Sequence, residues 1–426
     1  MTQKKIKIGL LGAGVVGSGV IKTLAHNPSI EIKKIGVKDL NKKRDLNGYV
    51  DKSAFTTNIN DIITDPEIEI IVEVLGGLTP TKDIVMQAIQ NKKHIVTANK
   101  DLIATYGAEL FDLAKKMGVQ IQFEASVCGG IPIINTLKQT LIANKFKKII
   151  GILNGTTNYI LSEMLNKKIS FEMCLKEAQR EGYAEPDPIN DISGKDVAYK
   201  IAILASIAFG ERIKIEDVFY EGIEKISLAD VFLAEDLGYR LKLIGMVEQE
   251  ESGLLDIRVH PSFIKKSSTL ASVFGANNGV LIKGDLVGEL TFIGPGAGSM
   301  PTASSILGDI NMLRAQLASS KNPNPLFVCQ HSDYAKIKPI SETENGYFLR
   351  IQTEDKSGVV GQVGTIFGNA EVSIDTLTQR GINPDGSASI TILTHVVKEK
   401  KLQKAVNEVK KLSTIKQVEN VIRVLD

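Results

Sequence analysis

A short apolar run, IKIGLL (6–11), leads straight into Gly12-Ala13-Gly14-Val15-Val16-Gly17, and a helical pattern, VVGSGVIKTLAHN (15–27), begins inside that loop. Strand, G-x-G-x-x-G and helix in that order are the opening of a dinucleotide-binding α/β domain. Each glycine has a separate task there. Gly12 permits the tight turn, Gly14 lets the backbone approach a pyrophosphate, and Gly17 lets helix and strand pack closely, while the helix N-terminus favours phosphate. Cofactor contacts are therefore expected from Gly12, Ala13, Gly14, Val15, Val16 and Gly17.

The pattern continues as such a fold requires. EIKKIGV (31–37), IEIIVEVL (68–75), HIVTAN (94–99) and VQIQFEA (119–125) read as strands, with helices at 81–93 and 107–118. Continuous Val/Ile runs between amphipathic stretches indicate a parallel sheet covered on both faces. The expectation is a Rossmann-type parallel-sheet domain over 1–130. An α+β catalytic and dimerisation domain follows over 131–320: a helix opened by Pro132, a strand at 146–153, three helical stretches to Phe209, then strands at 239–248, 253–260 and 288–294. A helix over 304–318 is expected to pack back on the first domain. Residues 321–345 read as a linker, with NPNPL and KPI. The segment 346–426 reads βαββαβ, a ferredoxin-like split. The whole is α/β in class with two α+β additions.

Ligands bind beyond the carboxyl ends of parallel strands. That rule picks out Gly76 in LGGLTP (75–80) and Lys100 in TANK (97–100), which could touch the nicotinamide side or the substrate. At the tip of the second strand an acid would bind the ribose of NAD and a base the phosphate of NADP. Lys38 stands there before Asp39, with Arg44 nearby, so NADP is favoured and NAD stays open.

The segment GYAEPDPINDISGKDVAYKIAILA (182–205) carries four carboxylates, Glu185, Asp187, Asp191 and Asp196, in a loop stiffened by Pro186 and Pro188. An almost wholly apolar helix follows. Asp196 and Lys200 are four apart and share one helical face, which continues through Ile203 and Ile207 and so points inward. A lysine ammonium there can neutralise charge growing on a carbonyl oxygen and supply its proton. Carboxylates beside it can hold a substrate ammonium group. An amino acid with an oxidisable side chain fits both.

The net charge of +2 gives no reason to invoke nucleic acid or an anionic membrane. Three separated cysteines, Cys128, Cys174 and Cys329, fit a reducing compartment. No apolar run reaches the length that spans a bilayer, and the N-terminus does not read as a signal peptide, so a cytoplasmic location is expected.

GLLGAGVVGSGV (9–20), VEVLGG (72–77), VTANKDLIA (96–104), FEASVCGGIPII (123–134), NGTTNYIL (154–161) and AQREGYAEPDPINDISGKDVAYKIAILAS (178–206) together resemble one family, homoserine dehydrogenase, in its monofunctional form. The resemblance implies reversible NAD(P)H-dependent reduction of L-aspartate 4-semialdehyde to L-homoserine. It makes Lys200 the proton donor and Asp196 a binder of substrate or water beside it. Glu185 and Asp191 would hold the amino group, Lys100 would lie between cofactor and substrate, and Gly182 and Gly298 would face the nicotinamide end. It also implies a monovalent cation, sodium, on the backbone carbonyls of Glu124, Val127, Gly129 and Ile131. The stretch EDKSGVVGQVGTIFGNAEVSIDTLTQRG (354–381) resembles an ACT domain, which implies a homodimer or homotetramer and threonine bound near Asp355, Gly358 and Val359.

Three rivals are weighed. Cys128 could be the nucleophile of an aldehyde dehydrogenase, although no histidine base is evident nearby. Another amino-acid dehydrogenase would share the scaffold. A non-catalytic cofactor-binding sensor would have no need of Asp196 and Lys200.

Overall fold

The apolar run at the start forms β1 (Ile6–Leu11), buried along nearly its whole length, and the glycine loop opens α1 (Val15–Leu24). In the structure, a computed structural model, residues 5–319, 329, 331, 333–382 and 387–425 are described. Most of 321–332, the front of the expected linker, therefore lies outside the described residues.

β2 (Ile30–Gly36), β3 (Phe55–Thr56), α2 (Asn60–Ile63), β4 (Ile70–Glu73), α3 (Thr81–Gln90), β5 (His94–Thr97), α4 (Lys100–Met117) and β6 (Ile121–Gln122) follow. The six strands are ordered β3-β2-β1-β4-β5-β6 and all pair in parallel. The order reverses between β1 and β4, so the loops after these two strands flank the crevice where such sheets bind ligands. The expected Rossmann-type sheet is observed, with the two-residue β3 added.

Two helices start earlier than the periodicity indicates. α4 begins at Lys100 instead of 107, because the Asn99 side chain caps it by accepting from Leu102 N at 3.1 Å. Lys100 is thus in a first helical turn, not in a loop. α4 ends on Gly118 in the left-handed conformation, φ 70°. The helix expected at 132–141 is shorter and looser: Pro132 precedes α5 (Ile133–Asn135), which widens into a π-turn over Thr136–Thr140.

The chain continues through β7 (Phe146–Ile152), α6 (Gly155–Lys167), α7 (Phe171–Arg180), α8 (Ile189–Ile192), α9 (Lys195–Phe209), β8 (Phe219–Tyr220), α10 (Leu228–Asp236), β9 (Tyr239–Gln249) and β10 (Leu255–Lys265). Then come β11 (Asn277–Gly284), β12 (Gly288–Pro295) and α11 (Ser299–Ser319). α11 starts five residues before 304, with Pro301 in its first turn, where a missing N–H costs nothing. The final segment is β13 (Glu344–Glu354), α12 (Val359–Asn369), β14 (Ile374–Ile382), β15 (Ser387–Thr394), β16 (Val397–Lys398), α13 (Glu399–Val409) and β17 (Ile415–Leu425). That is the expected βαββαβ order with a two-residue strand inserted.

The residues group into two compact units. One comprises Met1–Ile149, Tyr199–Asp217 and Ile282–Ala335, the other Ile150–Ala198, Val218–Leu281 and Lys336–Asp426. The first has its core between the parallel sheet, α1 and α11, where Ile8, Leu10, Val20 and Ile21 meet Ala303, Ile306, Ile310 and Leu313. The larger sheet is ordered β12-β11-β7-β9-β10-β17-β13-β15-β14. In the second unit β10 pairs in parallel with β17, through Ser262↔Arg423 to Ile264↔Leu425, so the C-terminal strands join the same sheet as β9 and β10. Among the described residues no helix is long and apolar enough to cross a membrane.

Candidate active site

The candidate nucleotide loop in the first unit is built from backbone. Gly12 has φ +106°, and a Cβ there would lie 2.7 Å from the carbonyl oxygen of Val74. A Cβ on Gly17 would lie 2.2 Å from Gly12 O. Both positions exclude any side chain. At Gly14 a Cβ would meet nothing within 4 Å, which leaves open space above the first turn of α1. Gly14 is also the N-cap, with no side chain satisfying the first amides of the helix. Uncapped amides beside an empty cradle suit a phosphate group. Ala13 and Val16 pack partly on the core, and Val15 is 73% exposed. Ser299 Oγ donates to Val15 O at 2.8 Å, which brings exposed Gly298, φ +120°, beside the same loop.

At the tip of β2, Lys38 and Asp39 are exposed. The Asp39 carboxylate accepts from Asn41 N at 2.8 Å, and the Arg44 guanidinium donates to Asp39 O and Lys42 O, each at 2.9 Å. The acid is thus turned into its own loop.

The loops after β4 and β5 are tied by a carboxylate that sequence reasoning missed. Glu73 is fully buried, and its oxygens accept from Leu75 N at 2.7 Å, Gly76 N at 3.2 Å and Thr97 Oγ1 at 2.5 Å. Burial raises its pKa. Asn99 completes the tie by donating from Nδ2 to Gly77 O at 2.7 Å. Lys100 is half-buried next in the chain, its Nζ 3.8 Å from Asp101 Oδ1. An acid inside a Val/Ile strand was the available signal, since a carboxylate is buried only when its oxygens find donors.

The loop from Glu124 to Ile131 is buried. The Glu124 carboxylate accepts from Ile134 N at 2.8 Å and Asn135 N at 2.7 Å, while its own N donates to Asp309 Oδ2 at 2.9 Å. Burial raises both acids, Asp309 to about 7. Gly129 O accepts from Ser305 Oγ at 2.6 Å, and Ile131 O from Ile133 N at 2.8 Å. Cys128 has no exposed surface, which removes it as a nucleophile open to substrate.

The second unit carries its own cluster of candidate side chains. Asn154 caps α6, its Oδ1 accepting from Thr157 N at 2.8 Å. Its Nδ2 donates to Asp191 Oδ1 at 2.7 Å and to Asp196 Oδ2 at 2.8 Å. One amide therefore gathers the two acids that flank the start of α9. Thr156 Oγ1 donates to Tyr183 O at 2.6 Å, and the rings of Tyr159 and Tyr183 lie 4.8 Å apart, which fixes the start of the acidic loop against α6. Asp196 is 5% exposed and Asp191 half-buried. Gly182, φ +77°, and Glu185 are exposed, and Gln179 Nε2 donates to Glu185 O at 3.3 Å. Along α9, whose residues from Tyr199 onward group with the first unit, Ile201–Ala205 are buried; Lys200 and Ile207 are half-buried, less enclosed than the apolar sequence indicates.

Asp355 and Gly358, φ +90°, are exposed at the head of α12, and Asp355 accepts from Gln379 Nε2 at 3.3 Å. Val359 is only 3% exposed, packed in the core of β13, α12 and α13, and offers an effector almost no surface.

Comparison with known proteins decides the family. Residues 12–124 match the homoserine dehydrogenase NAD-binding domain, 132–311 the homoserine dehydrogenase family and 347–414 the ACT domain. A homoserine dehydrogenase from Synechocystis sp. is 45% identical over 433 residues, covering 99% of both chains. The chain belongs to the homoserine dehydrogenase family. The crystal structure of a homoserine dehydrogenase from Thiobacillus denitrificans superposes with a TM-score of 0.94 at 40% identity, covering 100% of this chain and 99% of that one. A hyperthermophilic archaeal homoserine dehydrogenase in complex with NADPH superposes at 0.63 with 27% identity over 75% of this chain and 99% of its own. The enzyme is thus an oxidoreductase acting on CH–OH, with a nicotinamide-cofactor domain and an ACT domain.

Proposed function

We propose that the enzyme interconverts L-aspartate 4-semialdehyde and L-homoserine with NADP(H), and that Lys200 is the proton donor. The observation that carries this reading is the Asn154 amide, which holds Asp191 and Asp196 together at the head of the helix that bears Lys200 one turn later.

When bound, the nicotinamide ring gives or takes the hydride. The chain's residues do the rest. As the aldehyde is reduced, its oxygen gains charge; the Lys200 ammonium neutralises that charge and passes it a proton. Asp196, fixed by Asn154, orients the lysine and the water or hydroxyl beside it. Asp191 and Glu185, both from the segment before α9, take the substrate ammonium. Lys100, at the head of α4, is the second cation for the substrate and the nicotinamide side.

The cradle at Gly12–Gly17 fits a dinucleotide, and Gly76 and Gly298, in the same unit, are the candidates for its nicotinamide end. NADP is favoured because Lys38 and Arg44 flank the tip of β2 while Asp39 is occupied by its own loop. Glu124, Val127, Gly129 and Ile131 fit a sodium ion: they are neutral backbone oxygens in a buried loop, and those of Gly129 and Ile131 each keep a lone pair after one hydrogen bond. Threonine bound at the head of α12, near Asp355 and Gly358, is the proposed feedback signal, in a cytoplasmic homodimer or homotetramer.

The test follows absorbance as NADPH and NADH are oxidised with aspartate semialdehyde, with and without threonine. Turnover with NADPH and slowing by threonine are expected. No turnover with either cofactor rejects the activity; turnover indifferent to threonine rejects the effector.

A further inference from the structure

The NGTTN run contains two asparagines one helical turn apart, and only the first touches the acids. The second, Asn158, is 1% exposed and turns the other way. Its Nδ2 donates to Val273 O at 3.2 Å, Gly275 O at 2.9 Å and Asn277 O at 3.1 Å, so one amide gathers three carbonyls of the loop between β10 and β11. One turn further, Ser162 Oγ accepts from Gly275 N at 3.3 Å. The loop lies directly on the first turn of α6: a Cβ on Gly155 would be 2.6 Å from Ala276 O, and Asn278 Nδ2 donates to Leu153 O at 3.0 Å.

The remaining polar atom of Asn158, Oδ1, accepts from Lys242 Nζ at 2.8 Å. Lys242 lies on β9, is 2% exposed and also donates to Val273 O at 2.6 Å, with its nitrogen 4.8 Å from the centre of the Phe274 ring. Among the described residues no carboxylate pairs with it, and the nearby charged group is another cation, Arg240. A buried lysine without an acid is costly, and its pKa falls to about 7.

We propose that Lys242 is a positioning residue for the substrate side of the site: through Asn158 and the 273–277 loop it fixes the first turn of α6, and with it the Asn154 amide that aims Asp191 and Asp196. The inference rests on the reading that these acids serve homoserine, but it fails separately. If the wild-type enzyme does not oxidise homoserine, that reading falls; if it does and the lysine is dispensable, only the inference falls.

The experiment compares Lys242→Met and Lys242→Gln in the full-length enzyme, assayed with L-homoserine and NADP, with NADPH affinity measured by fluorescence. In the Met variant kcat/KM for homoserine should fall roughly 10-fold to 100-fold, the cost of one or two hydrogen bonds to a charged group. NADPH affinity should stay within twofold. Gln, which keeps one donor, should recover at least threefold of the loss. A lysine that only stabilises the fold would lower the unfolding temperature and leave kcat/KM unchanged in folded protein, and that result overturns the proposal. If neither variant folds, hydrogen exchange on the wild type decides: L-homoserine should protect amides 274–278, and unchanged exchange there rejects the link.

Discussion

The glycine loop and the first turn of α6 are both helix N-termini that carry candidate site residues, one in each unit, and they are made by opposite means. At α1 the cap is Gly14, without a side chain, and the loop is shaped by what cannot be present: a Cβ at Gly12 or Gly17 would collide with backbone oxygen. At α6 the cap is Asn154, and its side chain is the device, holding the helix with Oδ1 and two acids with Nδ2. A site defined by exclusion is damaged by adding atoms. One defined by hydrogen bonds is damaged by removing them, in proportion to the charge left unpaired. The two sides should therefore respond differently to substitution, and four experiments test the contrast.

The largest effect is expected from Lys200→Ala. Losing a general acid should lower kcat by roughly 10²-fold to 10⁴-fold, with cofactor affinity retained. Steady-state kinetics and NADPH titration measure both. A loss of NADPH binding equal to the loss of turnover would mean that the lysine serves the cofactor instead.

Next comes the pH dependence of stability set by Lys242. Its folded pKa is near 7 and its ordinary value 10.5, lowered by burial and then by Arg240. Between these values the unfolded chain holds a proton that the folded chain has released. Raising the pH from about 7 to 10 thus stabilises the fold, by up to about 1.4 kcal/mol per unit. Below pH 7 the contribution is flat. Urea unfolding of the wild type against Lys242→Met should show this slope as a difference between the two proteins; parallel profiles would contradict the shift.

These two lysines also mark how far the sequence could be read. The parallel sheet and the glycine cradle were legible, because period, turn chemistry and sterics are local; the order of the strands, a tertiary fact, was not. Lys200 and Asp196 were legible for the same reason, lying one helical turn apart. Lys242 was not. In YRLKLIGMVE it alternates with leucines and shares a strand face with Arg240, so it reads as solvated; the packing of α6 and the 273–277 loop over that face is a tertiary fact. Asp309 was hidden likewise, an acid in an amphipathic helix whose partner Glu124 is 185 residues away. Asn99 and Asn154 are cap residues by type, but periodicity alone does not see a cap, so it starts α4 seven residues late and leaves Lys100 in a loop. The merger of β17 with β10 was not foreseen either, since strand pairing across 160 residues leaves no periodic trace.

Asn154→Ala tests the side-chain half of the contrast at intermediate size. Asp191 and Asp196 each lose a donor, and α6 loses its cap, so kcat/KM for homoserine should fall roughly 10-fold to 100-fold and stability by about 1 kcal/mol. NADPH affinity should be unchanged. An effect on stability alone would show that the acids orient themselves.

The smallest and most selective effect separates two glycines three residues apart. Gly14→Ala adds a methyl group to open space at φ −82°, where an alanine is unstrained, so the folded protein should lose less than about 1 kcal/mol, the cost of a poorer cap. The same methyl at Gly17 would sit 2.2 Å from a backbone oxygen and must push α1 from β1, so Gly17→Ala should lower stability by several times as much. Cofactor affinity should fall in both variants, at Gly14 because the added carbon fills the space left for the pyrophosphate and at Gly17 because the cradle itself is displaced. Thermal unfolding without and with NADPH separates the causes. For Gly14→Ala the unfolding temperature in the absence of NADPH should fall only slightly, and most of the ligand-induced rise should be lost. A full rise in that variant would mean that the phosphates bind elsewhere than over the first turn of α1.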